Sequence, residues 1–352
     1  MRDEQWQIIK DCAAGKTPER VPAAMIVDSP WIPGYFGMNT IDFCMDINTC
    51  IDAYDRLKKE YPDLILIPDY WFEFGMAAEP SGFGCKMNFY DHQPIMISHI
   101  INDCEDVEKL LALPDPDPKK DGLMAAAVRN YARMKDSLHA KGEKIRMVAS
   151  RGPLNIATHL MSVSEFFLLL KLDPDNAHKL IKKTTKLVKR WLHAQMDALD
   201  YVEGILVLDD LIGFLSEEDF MEFAYPYFKE IYDEFDVPVK ALHNDKADNT
   251  NSYPYIKDWG VNIFNFTDRE RIDEVRKMVG DSVCLMGNVP PLLVLTEKDA
   301  EASYNATIEV LNQYGKKEGI LLSPGGGASP GMPAENLKAM LKALDDWNDQ
   351  HK

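Results

Sequence analysis

In the stretch "ALHNDKADN", Ala241 to Asn249, an apolar run ends on an imidazole, an amide and a carboxylate together. Packing would ask for a turn residue there; His243 flanked by Asn244 and Asp245 offers metal ligands or proton carriers instead. A second such place is "LDD", where Asp209 and Asp210 close another apolar run. Glu222 follows in "SEEDFMEFAYPYFKEI", which has the spacing of a helix and would join those two runs. Asp209, Glu222 and His243, with Asp210 as rival to Asp209, would supply two oxygens and one nitrogen and leave a fourth position open, a ligand set that suits Zn²⁺. Spacing alone leaves this set open against a hydrogen-bonded carboxylate–histidine network with Glu222 solvated on its helix.

Other apolar runs end in polar groups too: Asp28, Asp69, Ser150 with Arg151, Asn265 and Asn288. Aromatic residues follow two of them. "YWFEFGM" brings Tyr70, Trp71 and Phe74 after Asp69, and "DSPWIPGYFG" brings Trp31 and Tyr35 after Asp28. Such rings could line a pocket for a planar substrate, with Asp69 positioning it; packing beneath a loop is the equal alternative. The glycines of "SPGGGASPG", Ser323 to Gly331, suit a tight approach to a rim better than a phosphate cradle, because no P-loop Lys or Thr follows.

These groups need a scaffold that gathers strand ends. Eight short aliphatic runs, near residues 21–28, 63–69, 144–150, 204–210, 237–243, 261–266, 282–288 and 319–325, alternate with amphipathic helical patterns. Runs apolar on both faces and separated by helices predict a parallel sheet covered by helices. Eight such units in 352 residues predict a single α/β domain, a (β/α)₈ TIM barrel, whose strand C-termini carry the chemistry. Residues 1–20 read as an N-terminal helical extension. Residues 75–100 read as an inserted hairpin lid after the second strand, and the Pro/Asp stretch Leu113 to Gly122 as a surface connection.

Composition narrows the partners. With 39 Lys+Arg against 57 Asp+Glu, a net charge of −18 argues against nucleic acid and anionic membrane surfaces. Six cysteines without a CxxC pair fit reduced thiols, and the charged start carries no apolar leader. The expectation is a cytoplasmic protein.

"IPD" at residues 67–69, "FMEFAYPYFKEI" at 220–231, "MGNVPP" at 286–291 and the tail "SPGGGASPGMPAENLKAMLKAL" together resemble the uroporphyrinogen decarboxylase superfamily, in order and spacing from about Pro22 onward. The resemblance implies the same barrel with its cleft at the C-terminal mouth. It implies either porphyrinogen decarboxylation, with Asp69 at the decarboxylase aspartate, or cobalamin-dependent methyl transfer. The Arg-rich segment that holds propionates in the decarboxylases is absent from "VDSPWIPGYFGMN". The His-x-Cys zinc pair of the thiol-methylating branch reads His243-Asn244-Asp245 here, and the Gly-rich loop has no Cys.

The chain is therefore similar to the first methyltransferase of anaerobic O-demethylase systems. The implied cofactors are Zn on Asp209, Glu222 and His243, and cobalamin on a small corrinoid protein partner. The implied donor is a methoxylated aromatic, stacked on Trp31, Tyr35, Tyr70, Trp71 and Phe74 and oriented by Asp69 or Asn288. A homodimer is a further expectation from the resemblance.

Overall fold

The computed structural model describes residues 1–27, 31–72, 74–246 and 250–351; Asp28 lies outside them. Each of the eight aliphatic runs contains a strand: β1 Ala24–Ile26, β2 Ile65–Ile67, β3 Met147–Arg151, β4 Gly204–Leu208, β5 Val239–Asn244, β6 Ile263–Phe266, β7 Cys284–Val289 and β8 Ile320–Pro324. All neighbouring pairs are parallel. β1 pairs with β2, and β3 through β8 form one continuous ladder in chain order. A bridge from Ala23 to Leu322 joins β8 to β1. The fold is the expected (β/α)₈ barrel.

Among the described residues no ladder joins β2 to β3. After β2 the backbone turns away, with Asp69 and Tyr70 both at positive φ (77° and 48°). A left-handed conformation is uncommon for residues with a Cβ, and two in succession end any strand alternation. The amides beyond the turn find hydroxyls instead of a strand: Trp71 N–H donates to Tyr54 Oη (3.1 Å) and Phe72 N–H to Tyr131 Oη (3.2 Å). Buried backbone donors must be satisfied somewhere, and these two tyrosines do it.

Strand parity sorts the core into two layers. Ala24, Ile26, Ile65, Ile67, Met147, Ala149, Leu206, Leu208, Val239, Ala241, Ile263, Cys284, Met286 and Leu321 share one buried cluster, the barrel interior. The alternate residues, such as Val148, Val207, Leu242, Phe264 and Leu285, belong to the larger cluster beneath the helices. Helix α1, Asp3–Ala13, plugs the floor of the interior with Trp6, Ile9 and Cys12. Its Trp6 indole N–H donates to Glu203 just before β4 (2.7 Å). A Cβ at Gly204 would come within 2.9 Å of that indole, so glycine lets the plug seat fully.

Four other helices bear on the site. α2, Ile47–Glu60, is capped by Asp46, whose carboxylate accepts from Asn48 and Thr49 N–H. α3, Pro153–Met161, follows β3 directly and has Pro at its first turn. α4, Pro174–Ala198, starts on Asp173, which accepts from Asn176 N–H. α5, Glu217–Phe223, is only seven residues long. The inserted segment contains the expected antiparallel pair, Met87–Asn88 with Met96–Ile97. No single helix among the described residues is long and apolar enough to cross a membrane.

Candidate metal and substrate site

Interior parity continues past the strand ends and decides which polar groups meet. On β5 the inward residues Val239 and Ala241 are followed by His243, and two residues later by Asp245. On β4, Leu206 and Leu208 point inward, so Asp210 continues that face while Asp209 turns outward. Asp210, His243 and Asp245 therefore converge, with one ligand atom from each lying within 4.8 Å of the others. Asp210 Oδ1 stands 3.8 Å from His243 Nε2 and also accepts from Asp245 N–H at 3.0 Å.

The imidazole is held by a relay of hydrogen bonds. Asn265 Nδ2 donates to Met286 O (2.9 Å), which fixes the amide and turns its Oδ1 toward His243 Nδ1 at 2.6 Å. An amide oxygen only accepts, so Nδ1 carries the proton and Nε2 presents its lone pair to the two carboxylates. An imidazole oriented in this way through its other nitrogen is a common support for a metal ligand. Asp245 is exposed at the mouth, yet desolvation by the surrounding wall raises its carboxyl above the ordinary range, opposed by His243 and reinforced by the charge of Asp210. Two carboxylates and a lone pair facing one another repel unless a cation or proton sits among them.

The triad opens onto a cavity of about 260 Å³ at the C-terminal mouth. Ile26 and Leu208 contribute apolar wall, Trp71 and Met76 come from the turn after β2, Arg151 and Asn155 from β3 and α3, and Gly325 and Gly327 to Pro330 from the last loop. Gly326 has φ +88°, and a Cβ there would lie 2.6 Å from Asp245 Oδ2. The Gly-rich loop is thus a close approach to the rim.

Several expected site residues sit elsewhere. Asp209 is fully buried, and its carboxylate accepts from Leu154 and Asn155 N–H (3.0 and 3.1 Å) and from Leu211 N–H (3.1 Å). It caps α3 and the turn after β4, which leaves its oxygens occupied by amides. Burial pushes its pKa up to about 7 against the pull of those amides. A Cβ on Gly152 would collide with Asp209, so that glycine is what lets β3 turn into α3 over the carboxylate.

Glu222 stands at the C-terminal end of α5, because the segment after β4 first makes a 3₁₀ turn, Asp210–Phe214. Its side chain is 48% exposed and meets His178 Nε2 of α4 at 3.4 Å, in the outer helix layer.

Asp69 is buried, with its Oδ2 in ion pairs to Lys58 (2.7 Å) and the Met1 amino group (2.6 Å); it does not line the cavity. Asn288 braces the loop after β6, donating to Thr267 O and Glu270 O. Of the expected aromatics, only Trp71 lines the cavity. Tyr70 donates to Asp55 (2.6 Å) on the far side of the turn, and Phe74 packs on Phe72 in the core. Trp31 packs on Tyr35, whose hydroxyl meets Glu60 and Tyr61.

The family described as uroporphyrinogen decarboxylase (URO-D) matches residues 35–347. The chain belongs to the URO-D family. Uroporphyrinogen decarboxylases from Pseudoalteromonas atlantica and Pseudomonas fluorescens are 27% and 25% identical over 285 and 317 residues. Those alignments cover 77% and 86% of this chain and 76% and 82% of the relatives. With the enzyme from Chlorobium luteolum (27% over 186 residues) the match spans about half of each chain, 49% and 50%. A methyltransferase from Methanosarcina mazei superposes with a TM-score of 0.79 over 97% of this chain and 98% of its own, at 16% identity. That likeness shows that the two chains share a fold.

Proposed function

We propose that this protein is a methyltransferase that takes the methyl group from a methoxylated aromatic and passes it to cob(I)alamin on a separate corrinoid protein. Zinc would be held by Asp210, His243 and Asp245. One observation supports this above the others: the mouth gathers two carboxylates and an oriented imidazole, with no thiolate, around a cavity sized for a single ring. The donor set fits a hard divalent cation, because it offers oxygen and nitrogen atoms already crowded together and otherwise mutually repulsive. Bound there, zinc supplies Lewis acidity toward an ether oxygen, whose departure as an aryl oxide is otherwise unfavourable.

The chain's own residues do the rest. Asn265 keeps the His243 proton on Nδ1 and the lone pair on Nε2. Trp71 and Leu208 give a ring apolar surface. Asp210 is braced by the Asp245 amide.

Tetrapyrrole decarboxylation is supported less well. The described residues lining the cavity include one Arg and no Lys, too little positive charge for a substrate ringed by carboxylates, and about 260 Å³ falls below the ~300–1,000 Å³ of sites for drug-sized ligands. The test is a spectroscopic assay of cob(I)alamin conversion to methylcobalamin by the zinc-loaded protein. The panel is methoxybenzenes, methanol, methylamines and methylthiols. Turnover with a methoxyarene is the expected result. Response only to another donor would move the substrate, and decarboxylation of uroporphyrinogen without metal would overturn the proposal.

A further inference from the structure

Among the described residues seven asparagines are buried, and six of them put the side-chain amide to use. Asn176, Asn244, Asn265, Asn288, Asn336 and Asn348 each make at least one hydrogen bond through it. Asn155 is the exception. It is 5% exposed, and all of its hydrogen bonds run through the backbone. Its N–H donates to Asp209 Oδ2 (3.1 Å), and its carbonyl oxygen accepts from Thr158 Oγ1 (2.9 Å) and meets His159 Nδ1 (2.6 Å). Among the described residues Oδ1 and Nδ2 have no partner. A buried amide without one is costly and uncommon, and it calls for a cause.

The cause lies in where the amide points. Asn155 is the third residue of α3 and lines the mouth cavity. Asn244 Nδ2 also lacks a partner but is sealed in the core, whereas the Asn155 amide opens on the cavity. Its backbone bonds hold it there. Asp209, which takes its N–H, is followed in the chain by Asp210, so one turn after β4 supports both the amide and a member of the triad. The Arg151 guanidinium in the same wall is committed, through Nη2 to Gly75 O and through Nε to Met76 Sδ. The amide of Asn155 is not.

We infer that Asn155 is a specificity residue that hydrogen-bonds a neutral hydroxyl on a single-ring aromatic ligand. An amide offers one acceptor and a pair of donors, and a hydroxyl both donates and accepts, so each satisfies the other. A carboxylate would use only the donors and bring a third negative charge to Asp210 and Asp245. An apolar substituent would leave the amide dry and unpaired. That the same ring carries a methoxy group rests on the function proposed above; recognition of the hydroxyl does not.

The test uses the full chain and two probes with no methyl group to transfer to cobalt, phenol and toluene, which differ by OH against CH₃. Ligand-observed NMR titration reads both affinities. Asn155→Leu should lower the phenol-to-toluene affinity ratio by ~5–30-fold, the range of one hydrogen bond made in a buried site. Its melting temperature should equal or exceed that of wild type, because an unpaired amide gives way to an apolar side chain and no internal hydrogen bond is lost. If Asn155→Leu does not fold, Asn155→Ala decides, since it removes the amide without adding volume. A ratio unchanged in the folded variant overturns the inference. So does an unchanged ratio together with a large drop in melting temperature, which would make Asn155 a brace of α3. A lowered ratio without methyl transfer from any methoxyarene leaves the inference standing and removes the proposed reaction; methyl transfer with an unchanged ratio does the reverse.

Discussion

Replacing Asp210 with Ala is expected to reduce bound zinc from about one per chain to near zero and to lower methyl transfer by at least ~100-fold, whereas Glu222→Ala should leave both within about two-fold of wild type. The contrast follows from where the two carboxylates stand. Asp210 continues the interior face of β4 and approaches His243 Nε2, while Glu222 is half exposed against His178 in the helix layer. Losing a supporting residue around a metal typically costs 10–100-fold in affinity, and losing one of three direct ligands should cost more. Asp210 also accepts the Asp245 amide, so its removal loosens a second ligand as well. Metal content by mass spectrometry after gel filtration, with turnover in the cob(I)alamin assay, reads both effects. Zinc retained by Asp210→Ala and lost from Glu222→Ala would move the site to the outer helix.

Asp69→Ala should destabilise the fold by about 3–5 kcal/mol, measured by urea unfolding, because it strands a buried ammonium. Asp69 is fully buried and holds Lys58 and the Met1 amino group at the gap between β2 and β3. Glu143 meets the same two cations and keeps them partly compensated, so the lower end of that range is expected. Burial raises the Asp69 pKa, but Lys58 and the amino terminus outweigh it, and the net shift is downward. A carboxyl depressed in the folded state stabilises the protein above its unfolded pKa, and that contribution is lost as pH falls through the folded value. The difference between wild type and variant should therefore be constant near neutrality and shrink below about pH 4. The turnover that remains per folded, zinc-loaded molecule should be close to wild type. A variant as stable as wild type but inactive would make Asp69 a catalytic group.

Much of the scaffold was legible in the sequence because strands buried on both faces leave continuous aliphatic runs, and all eight runs contain strands. The site was legible only in part. His243 ends its run on the inward face, and Asp245 shares that face two residues on; the period of two, carried past the last aliphatic residue, distinguishes Asp245 from Asn244 and Asp210 from Asp209. The same count from Met147 and Ala149 reaches Arg151, which the sequence reading named as a strand end without a role. Glu222 was misplaced because helical spacing does not reveal that a 3₁₀ turn uses up the residues after β4. Asp69, Tyr70 and Phe74 were misplaced for another reason. Two successive left-handed residues break the alternation, and nothing in "IPDYWFEF" announces a turn that would normally call for glycine.

The atoms around the metal distinguish this site most directly from any other. Zinc K-edge X-ray absorption of the loaded, substrate-free protein should show a shell of nitrogen and oxygen at ~2.0–2.2 Å with the multiple scattering of one imidazole. His243→Ala, having lost one of three ligands, should retain almost no zinc to give such a spectrum. A shell containing sulfur at ~2.3 Å, or an unchanged spectrum in that variant, would contradict the site formed by Asp210, His243 and Asp245.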